Sequence, residues 1–347
     1  MIIEYNESRI YVSFNHNHTY CCFGTNIGFY IYEINPFKKM ISRKIEGGVS
    51  LIKMLHESNI IIFVGNNSGL YPNNKLIIWD EEKKSAVGEI SFNSKIDNIR
   101  ITKKYILVMC NKKIHIYLFD NLVLVKTITT QSESKLMAIG LEESQYIAYP
   151  SEIIGSINIT KIDEDYLEAI EAHTNVIENV LLSDCGKYLV SASERGTLIR
   201  IFDIHTRVQI RELRRGCDPV KITNLALSSD NKVLLVSSDK GTIHLYHTNI
   251  NTNEQNNHYW ENYGIKYLKP ILPDYFNSIW SFCQIYLTNL ITYSVIDNTI
   301  SKIYTLADNG QFYIIDYSDP TNPVIEETIK YISDESDPFS DRSSTIR

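Results

Sequence analysis

The chain predicts an all-β protein assembled from repeated four-stranded units, and three observations carry that expectation. Tyr (23) and Phe (12) are plentiful while Gly is held to 15, and short Ile/Val/Tyr-rich runs alternate with Asn/Asp/Ser/Gly clusters, the texture of many short strands. No helical period runs long enough to organise a core in a chain that is 44% hydrophobic. Most specific is an internal copy: Ser191-Ala192-Ser193-Glu194-Arg195-Gly196-Thr197 returns as Val236-Ser237-Ser238-Asp239-Lys240-Gly241-Thr242, with Ser193 and Ser238 standing 45 positions apart. That spacing falls within the roughly 40 to 45 residues of one propeller blade. At this period 347 residues hold seven blades plus insertions, so the expected fold is a seven-bladed, WD-repeat-like β-propeller, whose closure protects the strand edges.

Taken in order, the first unit shows strand-like runs at 11–14, 20–24 and 28–32, joined by the turn formers Asn15-His16-Asn17-His18 and Thr25-Asn26-Ile27-Gly28. The second has runs at 51–54, 60–64, 76–79 and 86–90, and the third at 96–101, 105–110, 113–118 and 123–129. A fourth unit, residues 135–170, is less regular but holds Tyr146 to Pro150 and Gly155 to Ile159. The fifth runs from Glu171-Ala172-His173 to Leu213, the sixth starts at Arg214, and the last occupies residues 293–329. Two stretches break the rhythm. A sixth-blade loop at about 248–270 is first Asn-rich and then aromatic, and a loop of that length in a compact domain is usually functional or disordered. Residues 333–347 are rich in Ser and Asp and read as a disordered tail beyond a propeller spanning 1–332.

Composition narrows the partners. With 41 acidic against 34 basic residues the formal charge is −7, so long-range attraction to nucleic acid is not built into the molecule and any anion site must be local. Cys21, Cys22, Cys110, Cys185, Cys217 and Cys283 form no C-x-x-C pair, and the start lacks the pattern of a secretory signal. Together these suggest reduced thiols and a cytoplasmic protein. No run of about 18 apolar residues is present to span a bilayer as a helix. Nucleophile-elbow, P-loop and metal-ligand spacings are missing, so neither an enzyme nor a cofactor or metal is expected.

The local anion site is expected at Leu213-Arg214-Arg215-Gly216, between the two copied segments. Between Arg195 and Lys221 seven basic side chains face three acidic ones. Successive side chains of an extended strand point to opposite sides, which sends Arg214 towards the fifth blade and Arg215 towards the sixth. Each guanidinium offers a planar fork of donors suited to phosphate oxygens. Taken alone, the Ser-(Glu/Asp)-(Arg/Lys)-Gly-Thr turn is common in propellers and is more often structural than ligand-binding.

These residues resemble the PROPPIN family, WIPI-type seven-bladed propellers that bind phosphoinositides and carry a Phe/Leu-Arg-Arg-Gly fingerprint. The likeness extends along the chain: Gly28-Phe29-Tyr30-Ile31-Tyr32 resembles the family's first-blade motif, Pro72-Asn73-Asn74-Lys75-Leu76-Ile77-Ile78-Trp79-Asp80 the second-blade motif, and Leu272-Pro273-Asp274-Tyr275-Phe276 the segment after the long sixth-blade loop. The resemblance implies a first headgroup site of His173, Ser193, Thr197, Arg200 and Arg214, and a second of Arg215, Ser238, Thr242 and His244. It also implies membrane insertion by Tyr259, Trp260, Tyr263, Ile265, Tyr267 and Leu268 of the sixth-blade loop. The expected ligands are membranes carrying phosphatidylinositol 3-phosphate or the 3,5-bisphosphate, with recruitment to preautophagosomal, endosomal or vacuolar/lysosomal membranes. An autophagy lipid-transfer protein is the expected partner, through the loop between Asn66 and Asn74, and the protein is expected to be a monomer in solution. His244 predicts a pH effect confined to the second site. The competing expectation is a WD-repeat scaffold that binds proteins only.

Overall fold

The computed structural model describes residues 2–5, 8–140, 145–248, 250, 279–288 and 290–331. Those residues are strand and turn, without a helix, as the sequence texture requires. The first sheet contains β1 (Ile2–Tyr5), β2 (Ser8–Phe14), β3 (Tyr20–Thr25), β4 (Gly28–Glu33) and β5 (Lys38–Lys44), in that order. The second is β6 (Val49–Met54), β7 (Ile60–Gly65), β8 (Lys75–Asp80) and β9 (Ser85–Ser91); the third is β10 (Ile96–Ile101), β11 (Tyr105–Cys110), β12 (Lys113–Leu118) and β13 (Leu124–Thr129). The fourth has a short first strand, β14 (Ala138–Ile139), followed by β15 (Tyr146–Pro150), β16 (Ser156–Lys161) and β17 (Leu167–Glu171).

The fifth sheet is β18 (Ile177–Leu182), β19 (Tyr188–Ser193), β20 (Leu198–Asp203) and β21 (Gln209–Arg214), extended by the two-residue β25 (Ile279–Trp280). The sixth is β22 (Ile222–Leu227), β23 (Val233–Ser238), β24 (Thr242–His247) and β26 (Cys283–Tyr286), and the seventh is β27 (Thr292–Asp297), β28 (Lys302–Ala307), β29 (Gln311–Asp316) and β30 (Val324–Lys330). Seven sheets among the described residues match the number expected from the 45-residue period. Two compact units are traced: residues 1–135 with 304–314 and 326–347, and residues 136–303 with 315–325.

Burial explains why the strands read as they do. The second strand of a sheet is closed on both faces, as in β11, β19 and β23, where every residue is buried, so these strands are continuous apolar or small-residue runs. The last strands β5, β9, β13 and β30 of their sheets are largely exposed and correspondingly rich in Lys, Glu, Ser and Thr. The repeat extends to irregularities: a bulge interrupts the first pairing of the second, third, fifth and sixth sheets before Leu51, Asn98, Asn179 and Asn224. Bulges that recur at one place are features of the repeat rather than accidents. The sequence did not foretell β1 or the parallel strand β25, which joins β21 with Leu213 beside Ile279 and Arg214 beside Trp280. The tail 333–347 and all but Thr248 and Ile250 of the sixth-blade loop at 248–270 lie outside the described residues.

Candidate functional site

Leu213-Arg214-Arg215-Gly216 closes the fifth sheet. Leu213 is fully buried, in a core cluster with Val190, Ile199, Val220 and Tyr246, and this peg fixes where the arginines emerge. Arg214, the last residue of β21, stands opposite Leu198 on β20, and its carbonyl accepts a 3.0 Å hydrogen bond from the Tyr246 hydroxyl on β24. The Arg215 amide donates to the Thr197 carbonyl at 3.0 Å, so the pair is clasped to the β19–β20 hairpin on one side and to the sixth sheet on the other. Both arginines are half-buried. Around Gly216 a Cβ would meet open space, so local packing does not impose that glycine.

The copied hairpins have the same backbone. Gly196 (φ +59°) donates to the Ser193 carbonyl at 2.9 Å, and Gly241 (φ +73°) to the Ser238 carbonyl at 3.2 Å. A Cβ on either glycine would collide with the next segment, at 2.0 Å from the Val220 carbonyl oxygen and 2.0 Å from that of Leu287. Left-handed backbone and close approach together explain why both copies carry Gly. Register then equates the flanking residues: Arg200 stands opposite Ser191, and His244 opposite Val236, which is 45 positions after Ser191.

Around the fifth sheet, Arg200 forms an ion pair with Glu212 (Nη2 to Oε2, 2.9 Å), also donates from Nε to Oε2 at 2.9 Å, and donates from Nη1 to the Ala172 carbonyl at 2.7 Å. His173 Nε2 lies 3.0 Å from Ser191 Oγ. Burial, reinforced by the Arg200 charge, pulls the His173 pKa down to about 4. Ser193 is buried and Thr197 half-buried at the two ends of the turn.

Around the sixth sheet, Ser238 Oγ and Thr242 Oγ1 are 2.7 Å apart and His244 Nδ1 lies 3.1 Å from Ser281 Oγ. Arg215 spans the seam: Nε donates to the Gly196 carbonyl of the fifth-sheet turn at 3.3 Å and Nη2 to the Asp218 carbonyl, while its charge acts on His244 of the sixth. Burial, followed by the Arg215 charge, pulls His244 down to about 4 as well, and burial lowers the Arg215 pKa from its usual value. A largely desolvated histidine whose pKa is lowered beside a permanently charged guanidinium is therefore found twice, half-buried as His173 and buried as His244.

The expected pH effect confined to the second site does not match this arrangement: His173 is shifted as far as His244, for the same two reasons. Sequence reasoning also missed Glu212, Ser191, Ser281 and Tyr246. Glu212 was legible, because it stands opposite Arg200 across the β20–β21 hairpin. Ser281 follows a long insertion, and no local spacing announces it. The expected insertion residues Tyr259, Trp260, Tyr263, Ile265, Tyr267 and Leu268, with the segment 272–276, lie outside the described residues. In the second sheet the β7–β8 loop that holds Asn66 and Asn74 is tied down: Ser68 Oγ donates to the Asn66 side chain (2.6 Å) and the Gly47 carbonyl (2.9 Å), and Asn74 Nδ2 donates to the Phe92 carbonyl (2.7 Å). Leu70 is exposed at its crest.

A family model for PROPPIN matches residues 9–279, more than three quarters of the chain. The chain belongs to the PROPPIN family. It is thus an autophagy-related, phosphoinositide-binding propeller of a family that binds and scaffolds rather than catalyses. Among curated PROPPIN relatives, SVP1-like protein 2 of Pichia angusta is 31% identical over 79% of this chain and 79% of its own length. Autophagy-related protein 18e of Arabidopsis thaliana is 34% identical over 64% of this chain and 61% of its own. Two solved structures share the fold: Kluyveromyces lactis Hsv2 with a complete loop 6CD (TM-score 0.74, 24% identity, covering 94% of this chain and all of that one), and a complex of KlAtg21 with the coiled coil of AgAtg16 (TM-score 0.74, 19% identity, 96% and 100%).

Proposed function

We propose that the protein docks edge-on to membranes carrying phosphatidylinositol 3-phosphate or phosphatidylinositol 3,5-bisphosphate, taking one headgroup beside the fifth sheet and one beside the sixth. The observation that supports this reading is the duplicated arginine–histidine pair, Arg200 with His173 and Arg215 with His244, on either side of Leu213-Arg214-Arg215-Gly216. His173, Ser193, Thr197, Arg200 and Arg214 serve the first headgroup; Arg215, Ser238, Thr242 and His244 serve the second. An empty pocket keeps its histidine neutral, and an arriving phosphate recharges it, so each pocket gains a donor and a positive charge when filled. Two weak sites on one body act bivalently, because the first contact raises the effective concentration for the second. The residues 259–268 would add apolar anchoring at the interface.

On this reading the protein is recruited peripherally to preautophagosomal, endosomal or vacuolar/lysosomal membranes and brings autophagy machinery with it. The assembly of KlAtg21 with an Atg16 coiled coil supports a protein partner of that class. The β7–β8 loop around Leu70 is the surface we assign to an autophagy lipid-transfer protein. Flotation with vesicles containing phosphatidylinositol 3-phosphate tests the lipid reading. Native protein should float and the Arg214→Thr/Arg215→Thr double variant should not, with thermal unfolding shifted by only a few degrees; flotation that survives the double change overturns the proposal.

A further inference from the structure

We propose that Lys53 and Arg100 form a second kind of anion site, for a phosphate-type dianion, on the first strands of the second and third sheets. The strands β2, β6 and β10 pack side by side within the first unit, and Ser13 Oγ fastens β2 to β6 through a 2.8 Å hydrogen bond to the Ile52 carbonyl. Each of β6 and β10 carries its bulge before Leu51 or Asn98, and Lys53 and Arg100 each follow that residue by two positions. The repeat therefore brings two cations to equivalent places on neighbouring strands.

Neither cation has a carboxylate among the described residues. Arg100 donates only to the Asn98 side chain and the Ile99 carbonyl, both at a long 3.4 Å, and the groups that act on Lys53 are Arg100, of the same sign, and the Cys22 thiol on β3. The half-buried Lys75 and Lys302, by contrast, are paired with Glu89 and Asp316. Lys53 keeps partial solvent access yet is surrounded by protein, and burial, followed by Arg100, draws its pKa down to about 7.

The turns beyond the same strands hold Lys103 and two histidines that meet edge to face at 4.8 Å, His16 and His56, with His16 Nδ1 buried without a hydrogen-bond partner. Burial, followed by His16 and Lys103, lowers the His56 pKa, which favours its neutral form. The neighbouring carboxylate, Glu57, is engaged by Asn17 and Thr19.

Two like charges on neighbouring strands, one acting on the other, are costly unless one is discharged or an anion joins them. A monoanionic carboxylate would leave one cation unbalanced, whereas a phosphate dianion matches both and offers oxygens for the guanidinium fork and for the ammonium. Free phosphate and a small phosphomonoester share this chemistry. Binding returns the proton to Lys53, so affinity should rise as pH falls towards 7; the groups facing it in that titration are Arg100 and Cys22.

The test is run in the Arg214→Thr/Arg215→Thr background, so that the lipid pockets do not answer for the new site. Titration calorimetry with inorganic phosphate, and in a parallel arm with glycerol 3-phosphate, is compared with chloride at matched ionic strength. One saturable site is expected, lost in Lys53→Met and Lys53→Gln and weakened at least about tenfold in Arg100→Met; the tighter arm separates free phosphate from an ester. Phosphate also stabilises proteins without binding. A response equal in the background protein and both Lys53 variants, or no heat beyond the chloride control, overturns the proposal and leaves Lys53 as a discharged amine.

Discussion

The two pockets proposed at the fifth and sixth sheets are built on copies of one hairpin yet present their cations differently. Arg200 is already neutralised by Glu212, across the β20–β21 ladder, while Arg215 donates to two backbone carbonyls and, among the described residues, forms no ion pair, feeling Asp218 and Asp239 only through their charge. A phosphate arriving at the fifth sheet must compete with a carboxylate; one arriving at the sixth replaces carbonyl dipoles. The pair Ser238 and Thr242 is likewise preset by a mutual hydrogen bond at the sixth sheet. The difference implies that the sixth-sheet pocket is the stronger one in isolation and that Glu212 restrains the fifth.

The largest effect that could break this comparison is the single change Arg215→Thr. It should weaken vesicle binding more than Arg200→Thr does, by about tenfold to a hundredfold, the range for losing charge-assisted hydrogen bonds, as read by quantitative co-sedimentation. Equal losses would erase the asymmetry. Next in size is Glu212→Gln, which frees Arg200 from its ion pair: binding should tighten several-fold at low salt, and a loss would mean that Glu212 positions Arg200 rather than masking it.

The smallest effect is titration. His173 and His244 both sit near a pKa of about 4 when empty. A bound phosphate raises those values, so affinity should rise as pH falls from 7.5 through the bound-state pKa, flattening towards about 4. The phosphate itself titrates near ~6. The useful readout is therefore the difference between native protein and His244→Asn or His173→Asn, each expected to remove part of the slope. A slope unchanged in both variants would show that the histidines do not meet the ligand. The same shifts act on stability with the opposite consequence. Each histidine favours the fold while neutral, and that contribution is present above the unfolded value near ~6.5 and lost as pH falls towards about 4.

Much of the fold was legible because a blade's burial gradient is written in residue types: Tyr105 to Cys110 can only be a strand closed on both faces, and Ser85 to Ser91 only an outer one. The hairpin copy was legible for a similar reason, since Gly196 and Gly241 occupy backbone that other residues resist. Arg200 and His244 could be equated despite different spacing because a ladder register corrects for one extra residue in the turn. What stayed hidden depends on partners distant in sequence. β25 and Ser281 arrive after a long insertion, and Lys53 and Arg100 look like ordinary surface charges until their strands are seen to be neighbours. The symmetric fate of the two histidines was hidden too, because burial rather than sequence position sets their shift.

Isothermal titration with the soluble headgroup inositol 1,3-bisphosphate addresses the central claim most directly, because it counts pockets without a membrane. With Lys53→Met in every sample, so that the phosphate site proposed on the second and third sheets does not answer, two headgroups per chain are expected, one after Arg215→Thr, and none after Arg214→Thr/Arg215→Thr. A stoichiometry of one where both arginines are kept, or one retained where both are replaced, would contradict the two-pocket account.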